Sequence, residues 1–160
     1  MSTGEITSVL RLVPIEESGA PADGSLRLDD VGRDVCAATA TLYGKAGFVK
    51  PWVGYLLVEG DRVVGTCAFK SPPVAGEVEI AYFTFAGNEG RGLATRMARD
   101  LVGIARSAGP EITVTAQTLP AKSASTSILL KLGFTLRRTL VHPEDGEIWE
   151  WELRPSGAPS

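Results

Sequence analysis

The chain is poor in the residues that bind metal ions. It has one histidine, His142, and two cysteines, Cys36 and Cys67, which lie far apart in unrelated surroundings. Zinc sites combine several cysteine or histidine ligands at short spacing, so no metal is predicted. The cysteines are expected to be buried thiols in a reducing cytoplasm, and His142 a residue of a surface loop.

Long apolar runs and a strong excess of one charge are also lacking. No run reaches the length that spans a membrane, and the first residues lack the basic and apolar regions of a signal peptide. The net charge of −3 argues against a general nucleic-acid binder. We therefore expect a cytoplasmic protein with neither a membrane nor a nucleic-acid partner. Its 160 residues suit one domain, residues 1–153, followed by a disordered tail, residues 154–160.

The patterns that are present predict seven strands and three helices. Alternating or β-branched segments indicate strands, apolar residues at helical spacing indicate helices, and Gly60-Asp61 is typical of a hairpin. The order β-α-β-β-β-α-β-α-β-β predicts a mixed α/β fold with helices on the faces of one central sheet. The predicted strands are 6–14, 52–59, 62–70, 77–85, 112–117, 135–141 and 147–153; the predicted helices are 31–44, 93–108 and 122–132.

Residues 77–95 combine a buried strand, EVEIAYFTF, with a glycine-punctuated turn that opens a helix. Such a turn leaves backbone N–H groups pointing outward, and these bind phosphate well. A dinucleotide fingerprint fits poorly, because Thr95 stands where the third glycine of G-x-G-x-x-G belongs. The lysine of a nucleotide-binding P-loop is absent as well.

The turn resembles the signature Gln/Arg-x-x-Gly-x-Gly/Ala of the GNAT superfamily of acyl-CoA N-acyltransferases. The sequence EGRGLA at residues 89–94 matches both small positions and departs at the first. Residues 118–134 resemble the second characteristic helix of the family. The segment PEDG at 143–146, with WEWEL at 149–153, is similar to the branch of ribosomal-protein N-terminal (alanine) acetyltransferases. The resemblance covers residues 50–154 and implies a central mixed, mostly antiparallel sheet flanked by helices.

The resemblance also implies acetyl-CoA as co-substrate. Its pantetheine would pair with the edge of the central strand, and its pyrophosphate with the turn. Glu89 replaces the usual Gln or Arg and is expected to point away, while Lys122 replaces the usual Asn and supplies positive charge with Arg91. The implied acetyl-CoA-binding residues are Phe83, Thr84, Phe85, Glu89, Gly90, Arg91, Gly92, Leu93, Ala94, Thr95 and Lys122.

For catalysis, Glu77 and Glu79 share one strand face and are the candidates for the base. Both also suit a solvent-facing side of the sheet or an ion pair. Glu79 aligns with the catalytic glutamate of several family members. Ser125, by analogy with the N-terminal acetyltransferase branch, is the candidate that protonates the leaving thiolate, or else a helix-capping hydroxyl. The tyrosine common in the family is replaced by Leu129.

The predicted function is transfer of an acetyl group from acetyl-CoA to a primary amine by direct attack in a ternary complex. The amine belongs to a small molecule or to a peptide N-terminus, and a small acceptor would suit a pocket lined by residues 16–25, Trp52 and Tyr55. A non-catalytic acyl-CoA-binding module is the alternative. A homodimer is possible, because dimers are common in the family.

Overall fold

A computed structural model describes residues 9–155. Within that range the chain forms one sheet of seven strands and three helices. The strands are β1 Leu10–Pro14, β2 Gly54–Glu59, β3 Arg62–Phe69, β4 Glu77–Thr84, β5 Thr113–Thr118, β6 Thr135–His142 and β7 Gly146–Leu153; the helices are α1 Asp30–Ala46, α2 Leu93–Ala108 and α3 Ala124–Lys131.

The strands lie side by side in the order β1-β2-β3-β4-β5-β7-β6. Every neighbouring pair is antiparallel except β4 and β5, which are parallel. The predicted element order and the mostly antiparallel mixed sheet are confirmed. The start of the first predicted strand, residues 6–8, and most of the predicted tail, residues 156–160, lie outside the described residues.

Helix α2 packs on one face of the sheet through an apolar stripe. The helical spacing of the sequence predicts this stripe as Leu93, Met97, Leu101, Ile104 and Ala108; the first three are buried, Ile104 is half-buried and Ala108 is exposed. The sheet admits the helix closely because Gly65 of β3 has no side chain: a Cβ there would lie 2.9 Å from the Phe83 carbonyl oxygen and 3.0 Å from Met97. The central strands and α2 therefore form one packed core.

Helix α1 lies on the opposite face and is attached at both ends. Asp29 caps it by accepting a hydrogen bond from the Gly32 N–H. Near its end, the Tyr43 hydroxyl donates to the Ile15 carbonyl and accepts from the Gly54 N–H. The predicted stop at Gly44 is wrong. The helix continues to Ala46, because Gly47, at φ 103°, adopts the backbone conformation that ends it.

Candidate active site

The sheet parts in the middle, between β4 and β5. Their pairing runs from Glu77 opposite Thr113 to Ile80 opposite Ala116 and then stops, although both strands continue. Beyond that point β4 remains paired with β3 alone. The backbone groups of alternate residues point to opposite neighbours, and the Phe85 N–H donates to the Val64 carbonyl of β3.

This alternation defines the free edge. The backbones of Phe83 and Phe85 face β3, and those of Tyr82 and Thr84 face the gap, where no described strand pairs with them. Of the three residues predicted for the pantetheine edge, Thr84 therefore has its backbone in the gap. Tyr82 is the second edge residue, one position outside the predicted set.

The glycine turn lies at the open end of this gap. Gly90 and Gly92 have φ values of 77° and 76°, and no atom lies within 4 Å of a Cβ placed on either residue. Gly92 occupies the N-cap of α2 without any side-chain hydrogen bond to the helix. The first-turn N–H groups of α2 are thus left for a ligand anion. Leu93, Ala94 and Thr95, with the turn and α3, line a cavity of about 390 Å³.

The charged side chains of the turn are bound to the protein itself. Glu89 Oε1 accepts a hydrogen bond of 2.9 Å from the Gly87 N–H. Arg91 pairs with Glu59 at the end of β2 and donates to Asn88 Oδ1 at 3.3 Å. The Arg91 guanidinium lowers the pKa of Glu59. Lys122 is exposed just before α3.

A smaller cavity of about 120 Å³ lies where β4 and β5 separate. It collects polar side chains that are distant in sequence, among them Glu79, Tyr82, Gln117 and Ser125. Glu79 Oε2 lies 3.0 Å from Lys70 Nζ, yet it is shielded from solvent and makes no hydrogen bond. The ion pair leaves this carboxylate oxygen with unused capacity to accept a hydrogen bond.

Glu77 is bound in a different way. Arg137 of β6 donates to both of its carboxylate oxygens, at 3.0 and 2.8 Å. The same guanidinium lies 3.7 Å from Glu150 and 3.8 Å from Glu152 on β7. Glu77 raises the pKa of Arg137 through these hydrogen bonds. The two candidates for the base therefore have different surroundings. Glu79 faces the small cavity, whereas Glu77 belongs to an ion-pair network that links β4, β6 and β7.

The Tyr82 side chain also belongs to the site, although the sequence did not predict it there. Its hydroxyl lies beside Ser125 on the small cavity, and burial raises the pKa of Tyr82 while the interaction with Ser125 opposes the rise. Ser125 does not cap the helix, because Ser123 and Thr126 form the capping box of α3. No local pattern marks Tyr82, since only the packing of α3 against the gap brings the two hydroxyls together.

The predicted lining of a small-acceptor pocket is wrong for two aromatic residues. Trp52 and Tyr55 are buried in the core. Trp52 packs edge-on against Phe69, and the Tyr55 hydroxyl donates to the Pro51 carbonyl. Trp151 is buried, and its Nε1 donates to Thr118 Oγ1.

Two absences concern the described part of the chain. Residues 9–155 hold no group of three or more histidine, cysteine or acidic residues arranged for a metal ion. None of the three helices described is long and apolar enough to cross a membrane.

Comparison with known proteins identifies the fold. One similar structure is RimL, a ribosomal L7/L12 alpha-N-protein acetyltransferase in complex with coenzyme A, at 16% identity, 96% coverage of this chain, 97% of that chain and a TM-score of 0.68. Another is yncA, a putative acetyltransferase from Salmonella typhimurium with acetyl-CoA, at 16% identity, 96% and 98% coverage and a TM-score of 0.64.

A third similar structure is the ribosomal-protein-S5-alanine acetyltransferase from Vibrio fischeri, at 10% identity, 85% and 80% coverage and a TM-score of 0.63. No curated protein sequence matches the chain. The sequence model of the family described as "Acetyltransferase (GNAT) domain" matches residues 28–135, more than half of the chain. The protein therefore belongs to the GNAT acetyltransferase family.

Proposed function

We propose that this protein transfers an acetyl group from acetyl-CoA to a primary amine by direct attack in a ternary complex. One observation carries the proposal: the free edge of β4 leads from the glycine turn at Gly90 and Gly92 to the small cavity that holds Glu79, Tyr82 and Ser125. A ligand with an anionic end, an extended amide-containing arm and a reactive carbonyl fits this arrangement. Acetyl-CoA has these three parts.

Backbone groups account for most of the proposed binding. The N–H groups of the turn and of the first turn of α2 receive the pyrophosphate, with Leu93, Ala94 and Thr95 beside it. The Tyr82 and Thr84 backbones pair with the pantetheine amides, in the manner of an added strand. The Arg91 guanidinium is paired with Glu59, so Arg91 contributes to acetyl-CoA binding through its backbone in the turn and not through its charge. Lys122, exposed just before α3, supplies further positive charge.

The transfer needs one base and one acid. The amine nitrogen forms a bond to the acetyl carbon, the carbon–sulfur bond breaks, and coenzyme A leaves as its thiolate. Glu79 accepts the amine proton through a water molecule. The neighbouring hydroxyls of Ser125 and Tyr82 give a proton to the thiolate, so that the products are the acetamide and free coenzyme A. An N–H group at the free edge stabilises the oxyanion.

Relatives named as ribosomal-protein acetyltransferases support an amine at a peptide N-terminus as one acceptor class. A small-molecule amine remains the other. The test is release of free thiol from acetyl-CoA in the presence of a panel of amines and N-terminal peptides. Amine-dependent thiol release supports the proposal, and its absence over the whole panel contradicts it.

A non-catalytic acyl-CoA-binding module is the second candidate. It is favoured by Glu89, whose carboxylate occupies a backbone N–H of the turn, and by Leu129 at the position of the family's usual tyrosine. Under this alternative, acetyl-CoA raises the melting temperature but no amine releases its thiol. Running both assays on one preparation separates the two functions.

A further inference from the structure

A third cavity lies between helix α1 and β4, on the face of the sheet that α1 covers. It measures about 300 Å³ and is open where Ala38 of α1 and Phe83 of β4 are exposed; 59% of the Phe83 surface is accessible. Phe83 is a large apolar side chain left at the mouth of a cleft. The cleft is bounded mainly by Val35, Ala38, Leu42, Ala68, Ala81 and Phe83.

The cleft offers almost only hydrocarbon to a ligand. None of the residues lining it carries a charge. Its two threonine hydroxyls are committed to the backbone: Thr39 Oγ1 donates to the Val35 carbonyl at 2.8 Å, and Thr66 Oγ1 donates to the Tyr55 carbonyl at 2.9 Å. A charged or strongly hydrated group placed here would lose its water without finding a partner.

The cleft continues directly into the candidate active site. Glu79, Ala81 and Phe83 share one face of β4, and the β3 partners of Ala81 and Phe83 lie on the same face. The face is charged at its Glu79 end and apolar toward Phe83. Tyr82 lines both the cleft and the small cavity. An amine near the thioester therefore has Glu79 on one side and the cleft on the other. The cleft begins at Ala81, which lies about 7 Å from Glu79 along the strand.

We infer that the acceptor is a primary amine with one apolar substituent, aliphatic or aromatic and free of a second charge, which occupies the cleft between α1 and β4. The inference rests on the proposed function and narrows its substrate class. The cationic form of the amine is attracted by Glu79, and the substituent is removed from water by the cleft. A free arylalkyl amine and a peptide with an apolar N-terminal residue both have this chemistry.

The test compares two alanines of α1 that are both exposed. Ala38 lines the cleft, and Ala37, its neighbour, does not. Thiol release is measured with phenethylamine, 3-methylbutylamine, ethanolamine and 1,4-diaminobutane, and with short peptides that begin with Phe or Ser. Wild-type kcat/KM should be roughly tenfold or more higher for phenethylamine and 3-methylbutylamine than for ethanolamine and 1,4-diaminobutane. The peptides that begin with Phe should exceed those that begin with Ser by a similar factor, which is the discrimination that a hydrophobic pocket gives.

Ala38→Phe fills the cleft and should raise KM for the apolar acceptors by about tenfold, with acetyl-CoA affinity unchanged. Ala37→Phe should resemble wild type. Equal turnover of polar and apolar acceptors, or equal effects of the two variants, overturns the inference. The peptide and free-amine arms show which source supplies the acceptor.

Calorimetric titration of phenethylamine into the protein with coenzyme A adds a readout independent of turnover. Binding that Ala38→Phe weakens, without thiol release from any amine, retains the cleft as an amine site and refutes the transfer reaction. Thiol release without phenethylamine binding refutes the cleft and retains the transfer.

Discussion

The two strand glutamates give a test in which kinetics and stability should respond to different residues. Glu79→Gln removes the carboxylate that faces the small cavity, and Glu77→Gln removes the one that Arg137 holds through two hydrogen bonds. Loss of general-base help typically lowers kcat by about 10². Because each tenfold in rate is about 1.36 kcal/mol, Glu79→Gln should raise the activation barrier by about 2.7 kcal/mol.

The stability effects should run in the opposite order. The Glu77–Arg137 pair is partly exposed, at 39% and 26%, which places its net value at about 1 kcal/mol, or roughly 3 °C in Tm. The Glu79–Lys70 pair lacks hydrogen-bond geometry, and Lys70 is 48% exposed, so its loss should cost under about 0.5 kcal/mol.

Steady-state kinetics and thermal unfolding of both variants complete the comparison. Wild-type acetyl-CoA affinity should persist in each. The kcat deficit of Glu79→Gln should shrink at high pH, where the amine loses its proton without help, and more so for an α-amine than for a lysine. Equal kcat losses in the two variants, unrelieved by raising the pH, would refute Glu79 as the base and leave positioning and the oxyanion contact to explain catalysis.

Three further outcomes are expected. Gly92→Val should weaken acetyl-CoA binding in calorimetry by an order of magnitude or more, since it strains a residue at φ 76° and fills the space beside the turn, whereas Glu89→Gln should change the affinity little. Tyr82→Phe combined with Ser125→Ala should lower kcat more than either change alone. Burial raises the pKa of Tyr82 above its ordinary value of 10, so its phenol stays protonated at neutral pH. The wild-type enzyme should therefore keep this proton donor throughout the neutral range. Asp29→Ala should lower the free energy of unfolding by about 1 kcal/mol in urea titrations through loss of the cap of α1, without changing kcat.

The sequence predicted the parts of this protein that depend on local patterns. The hairpin at Gly60, the strand β4 and the first three buried residues of the α2 stripe follow from periodicity and turn residues within a few positions of one another. The end of α1 was predicted wrongly, because a glycine inside a helix costs only about 1 kcal/mol and the packing of Tyr43 outweighs that cost. Here the tertiary contacts outweigh the low helix propensity of glycine.

The electrostatics of the site were beyond the sequence. Arg137 lies 60 positions from Glu77, on a strand that β5 and β7 separate from β4, and its side chain reaches Glu77 across them. Arg91 reaches back 32 positions to Glu59. Such pairs depend on strand order and register, which no single segment encodes. The same holds for the meeting of Tyr82 and Ser125, which needs both the parting of two strands and the position of α3.

Strand β4 pairs with β5 along only part of its length, and this has a consequence for amide hydrogen exchange. In the free protein the N–H groups of Tyr82 and Thr84 have no strand partner on the gap side, whereas those of Ala81 and Phe83 are bonded to β3. Exchange should therefore alternate between fast and slow along four successive residues, without any local unfolding. An extended ligand that pairs with the edge would slow the two fast positions alone, so the isotope pattern of a single strand records whether the site is filled.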